Sequence, residues 1–161
     1  MKLIGFNFTK INAEKLSSQF EELKINSNIN ILDISDVKAD FFSTKESLLG
    51  LKFSFGLNYD PNFAKIIFEG NIILSVDQDT YKEVLKQWKD KKTPDSFNIS
   101  VLNIILKKST LKALQIEEEL GLPLHIQLPS LKKEENENWK ALYKLFIFFF
   151  NAHLPRKKAQ N

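Results

Sequence analysis

Cysteine is missing altogether from these 161 residues. That excludes disulfide frameworks, thiolate nucleophiles and cysteine-ligated zinc. Histidine occurs only twice, too few for the usual structural zinc sets. The five glycines are scattered, and "GLKFSFG" has neither the spacing nor the lysine of a phosphate-binding loop. Charge of one sign is also scarce: 23 Lys+Arg against 20 Asp+Glu leave a formal +3, too little to imply nucleic acid by itself. The opening "MKLIGFNFTK" lacks a small-residue cleavage site, so no secretory signal is expected. The strongest apolar run, "LFIFFF" at 145–150, is far shorter than the roughly 20 residues of a membrane span. A soluble, cytoplasmic protein is the expectation, and its length and 43% hydrophobic content suit one domain with a substantial core.

Period-two patterning dominates the first half. Ile4, Phe6 and Phe8 share one side of a first half-buried strand. In "NAEKLSSQFEELKI" Leu16, Phe20 and Leu23 recur at helical spacing, as in a short amphipathic helix or an ordered loop. "INSNINILDISDV" alternates through Ile29 and Ile31, then shifts phase at Leu32 and Ile34, the mark of a bulge or a change of face. "LLGLKFSFGLNY" sets Leu51, Phe53, Phe55, Leu57 and Tyr59 on one face. Asp60, Pro61 and Asn62 are turn residues leading to a partner strand through Ile66, Phe68, Ile72, Leu74 and Val76. Gly70 interrupts that face, as a bulge or a close backbone approach would.

Helical spacing comes next. Thr80 and Glu83 read as a capping box before a stripe of Tyr81, Val84, Leu85 and Trp88. A long helix is expected from about Phe97 to Leu120, carrying Val101, Ile104, Ile105, Leu111, Leu114 and Ile116 and stopped by Gly121. A proline-framed connector, "LGLPLHIQLPSL", succeeds it, and a last helix begins near Glu135 with Trp139, Leu142, Tyr143 and Phe146. Four strands followed by three helices indicate an α+β fold: a four-stranded antiparallel sheet, then a short, a long and a C-terminal helix. We expect one domain over residues 1–154 and a basic tail over 155–161.

No catalytic signature emerges. Neither histidine sits in a nucleophile context, His125 reads as structural or surface, and Glu117, Glu118 and Glu119 read as a solvated helix face. The expectation is a protein that is not an enzyme. The feature that requires a purpose is apolar excess: fourteen phenylalanines, and a final helix apolar on every side from Leu145 to Phe150. Such a helix needs an oligomer interface, a partner or a lipid surface.

Several stretches resemble the SecB-like export chaperone family. "GFNFTKINAE" looks like that family's opening strand, and "FEGNIILSV" its fourth. "LNIILKKSTLKALQIEEELGLPLHIQLP" is similar to its long helix running into a connector, and "NWKALY" to the start of its last helix. The resemblance implies a homo-oligomer, a dimer or a dimer of dimers. It also implies apolar grooves that hold unfolded, exported or antitoxin polypeptide without ATP, cofactor or metal. In that picture Pro123 and Pro129 stiffen the connector, and Leu122, Leu124, Ile126 and Leu128 cling to apolar surface. The groove itself is expected at Leu16, Phe20, Leu23, Trp139, Leu142, Tyr143 and Phe146. One departure is charge, since the family is generally acidic and this chain ends in Arg156, Lys157 and Lys158. Two other readings stand beside it. Lysines 86–92, 107, 108, 132 and 133 with the tail would suit a ribosome- or RNA-associated factor. The last helix and tail would suit attachment to a membrane surface.

Overall fold

The computed structural model describes residues 1–19, 22–37 and 47–129. Four strands come first: β1 (Lys2–Lys15), β2 (Lys24–Asp36), β3 (Ser47–Asp60) and β4 (Ala64–Val76). Two helices succeed them, α1 (Gln78–Trp88) and α2 (Asp95–Leu120). The C-terminal helix expected near Glu135 lies outside the described residues. By its internal contacts the chain divides into two compact units, Met1–Ile126 and Gln127–Asn161. The first unit holds the four strands and both helices.

All strand pairings are antiparallel, in the spatial order β1-β4-β3-β2. β2, β3 and β4 form a meander and β1 returns to pair with β4, which is Greek-key connectivity. β3 shows why the sheet has two unlike faces. Leu49, Leu51, Phe53, Phe55, Leu57 and Tyr59 are all buried, as the alternation requires. Their opposite numbers on β4 are Leu74, Ile72, Gly70, Phe68, Ile66 and Ala64. Phe6, Phe8, Phe53 and Phe68 meet on this face at ring separations of 5.1–6.2 Å. The other face carries Asn7 beside Asn71, Asn30 beside Ser54 and Asn26 beside Asn58, with Lys10 paired to Glu69 at 3.0 Å. Burial of one face and hydration of the other fix the register, because a slip of one residue would exchange them.

Two expectations shift along β1. Ile4 is skipped by a bulge between Leu3 and Gly5, so Leu3 rather than Ile4 joins Phe6 and Phe8 against the core. The strand also continues through Asn12–Lys15, and residues 16–19 and 22–23 form no helix. The phase shift in β2 is a bulge, as its pattern indicates: Leu32 falls between the paired Ile31 and Asp33. Gly70 is the close approach that its interruption of β4 suggests. A Cβ there would lie 2.4 Å from the Asn7 carbonyl oxygen and 2.6 Å from the Phe53 ring.

α1 begins ahead of the capping box expected at Thr80. Asp77 is its N-cap, accepting from the Thr80 amide at 2.9 Å and the Thr80 hydroxyl at 2.8 Å. Those two bonds, the amide first, hold the Asp77 carboxyl below its usual range. A depressed value places the stabilisation above the unfolded carboxylate pKa of about 3.9 and removes it as pH falls through the folded one. Amide protection at Thr80 and Tyr81, monitored by hydrogen exchange, should therefore fade below about pH 4. Asp77→Asn, which still caps, should flatten that dependence.

α2 buries Phe97, Val101, Ile105, Ser109 and Ala113, one residue every fourth, and then Ile116 and Glu117. That stripe leaves Leu111, expected on the apolar face, 57% exposed. Both helices pack on β2 and β3. Gly121 ends α2 in the left-handed conformation (φ 58°), with the Leu122 amide donating to the Glu117 carbonyl at 2.8 Å. This is the glycine stop the sequence calls for. Past it, Leu122 is buried, but Leu124, Ile126 and Leu128 are exposed, so of the four alternating aliphatic residues only the first packs into the core.

Candidate functional site: a groove beside the β2 edge

β2 is an edge strand, and among the described residues no strand pairs with its outer edge. An open edge presents alternate unpaired amides and carbonyls. Beside it, the end of α1 turns back through residues 89–94 into α2, leaving an open cleft of about 560 Å³. One wall is Ile29, Asn30, Ile31 and Leu32 of β2. The other is Gln87 and Trp88 of α1, Lys91, Lys92 and Thr93 of the turn, and Asp95, Asn98 and Leu102 of α2. Four strand residues span about 13 Å, so the cleft takes about four or five residues of an extended chain.

Local sequence explains each wall. The bulge turns Leu32 outward, leaving it 49% exposed. Ile29 and Ile31 lean on the core and show only part of their surface. Trp88 closes α1, its indole N–H donating to Asp33 at 3.4 Å. Lys91 takes a left-handed backbone (φ 56°), with its amide donating to the Trp88 carbonyl at 2.9 Å. The Lys91 ammonium sits 4.4 Å from the centre of the Trp88 ring. The cleft wall thus mixes five apolar side chains with three amides, the Thr93 hydroxyl, the Asp95 carboxylate and two lysines.

Of the residues expected to line a groove, Leu16 and Leu23 are not among those lining this cleft. Leu16 is exposed beside the β3–β4 hairpin, where its amide donates to the Phe63 carbonyl, and Leu23 packs partly into the core. Phe20, Trp139, Leu142, Tyr143 and Phe146 lie outside the described residues. The cleft residues had one signal in the sequence, the phase shift at Leu32.

A second polar feature, at the hairpin end, corrects the reading of the glutamates. Glu118 and Glu119 are solvated, but Glu117 is wholly buried. One of its oxygens accepts from the Tyr59 hydroxyl in a short hydrogen bond, from His125 Nδ1 at 2.7 Å and from the His125 amide at 3.3 Å. Facing a carboxyl oxygen, Nδ1 is the ring nitrogen that donates. Burial first, then the bond to Glu117 and its charge, push the Tyr59 hydroxyl above the ordinary tyrosine range. Lys15 closes the same end, donating to the carbonyls of Leu120 and Gly121 at 3.3 and 3.2 Å. His125 is therefore structural, tying the connector to α2 and β3.

Among the described residues, no three histidine, aspartate or glutamate side chains are placed to hold a metal, and no helix is long and apolar enough to cross a membrane. No family model matches the sequence. No curated protein matches it. The fold is similar to that of the Mycobacterium tuberculosis SecB-like chaperone Rv1957, solved in complex with a ChAD peptide from the HigA1 antitoxin. The TM-score is 0.50 at 13% identity, over 81% of this chain and 89% of that one. At this identity the likeness is one of fold.

Proposed function

We propose that this protein is an ATP-independent, SecB-like chaperone that holds extended polypeptide, a client or a dedicated partner, and catalyses no reaction. The observation that carries the reading is the open cleft beside a strand edge that, among the described residues, no other strand pairs with. An extended segment laid there gains main-chain hydrogen bonds from β2 and places alternate side chains against Leu32, Trp88 and Leu102. Apolar surface buried there would contribute roughly 25 cal/mol per Å² before ordering costs. The fold neighbour supports the reading, because it was solved in complex with a peptide. Exposed aliphatic side chains elsewhere, among them Ile99, Leu106 and Leu111 on α2, suit a homo-oligomer.

The test is light scattering from a chemically denatured model protein diluted into buffer without nucleotide. At a small molar excess the wild-type chain should suppress aggregation. Leu32→Asp, at a half-exposed position where folding tolerates a charge, should weaken suppression several-fold. Undiminished scattering with the wild-type chain would reject the proposal.

A further inference from the structure

Resting on that reading, we infer that the groove discriminates by charge: it takes extended apolar segments that carry a carboxylate, an aspartate or glutamate, on the face turned towards Lys91 and Lys92. Among the described residues the ion pairs are Lys10 with Glu69 and His125 with Glu117, so neither groove lysine has a carboxylate within 4.0 Å. Asp33, the acid nearest in sequence to the β2 wall, accepts from the Trp88 indole. Asp95 is the one acidic residue in the lining, against two ammonium groups.

Placement matters as much as charge. An ordinary surface lysine is solvated and free to turn, and an ion pair made with it is worth little. Lys91 is instead stacked on the indole at 4.4 Å and set on a turn whose two amides bond back to α1, Lys91 to Trp88 and Lys92 to Gln87. Its ammonium is held over an apolar ring at the cleft wall, so less side-chain freedom remains to be lost when a carboxylate arrives. Alternate residues of an extended strand face the same way. An apolar side chain against Leu32 or Leu102 therefore brings a neighbour on that face towards the two lysines. A lysine or arginine in the same place meets like charge, which gives selection against as well as for.

The probes are three labelled nine-residue peptides of one apolar host sequence with Glu, Gln or Lys at a single position. Their binding to the full chain is read by fluorescence anisotropy at low and high salt. We expect the Glu peptide to bind about five-fold more tightly than the Gln peptide and the Lys peptide to be weakest, with the spread collapsing at high salt. Lys91→Glu combined with Lys92→Glu, checked for unchanged circular dichroism, should invert the order. Equal affinity for all three peptides overturns the charge selection while leaving peptide holding intact. Binding of none overturns both. A single-stranded oligonucleotide that displaces the Glu peptide at lower concentration than unlabelled Glu peptide would also overturn it, marking the lysines as phosphate contacts.

Discussion

Glu117→Ala should lower unfolding stability by about 3 kcal/mol, the scale for stranding buried partners of a removed polar group. The substitution leaves α2 a better helix former, so helix propensity cannot account for a loss. What it removes is the common acceptor of three donors: the Tyr59 hydroxyl, the His125 ring and the His125 amide. Glu117 has no exposed surface, so water does not take its place without opening the packing. Tyr59 is 1% exposed and equally cut off. The midpoint of guanidinium unfolding should fall with the slope unchanged. A combined Tyr59→Phe, Glu117→Leu and His125→Leu variant should recover most of the loss, because apolar groups of similar volume leave only the His125 amide without its acceptor. A triple variant no more stable than Glu117→Ala would show that the polar cluster is not the source of the effect.

Gly70→Ala should be as damaging, at about 3 kcal/mol, the upper part of the range for overpacking a close-packed core. The new methyl group would lie 2.4 Å from the Asn7 carbonyl oxygen and 2.6 Å from both Cε1 and Cζ of Phe53. Neither obstacle moves freely. Asn7 is paired in the β1–β4 ladder opposite Asn71, and Phe53 has no exposed surface and packs against Phe6 and Phe8. Phe53→Leu removes the ring but not the carbonyl. The double variant should therefore regain part of the loss relative to the sum of the singles, a coupling of about 1 kcal/mol measurable in a double-mutant cycle. Strict additivity would count against ring contact as a cause.

Separation along the chain decides which features a pattern can reveal. The strands could be read because alternation is local: the burial of Leu51 to Tyr59 reflects residues two apart seeking the same side. The bulge at Leu32 was legible for the same reason, since a break of phase leaves its trace within a few residues. The stop at Gly121 needs only a left-handed residue after an apolar stripe. The cap of α1 was misplaced because Asp77 and Thr80 are both good capping residues, and the chain's exit from β4 decides between them.

By itself the sequence determined the α+β class, the buried face of β3 and β4 and the end of the long helix, because hydrophobic periodicity encodes which side of each element meets water. Tertiary structure alone decided that β2 lies at an edge beside a cleft, and that one glutamate of three is sealed against a tyrosine 58 residues away. Strand order and register set those neighbours, and nothing in the spacing of residues along one element reveals which distant element it will face.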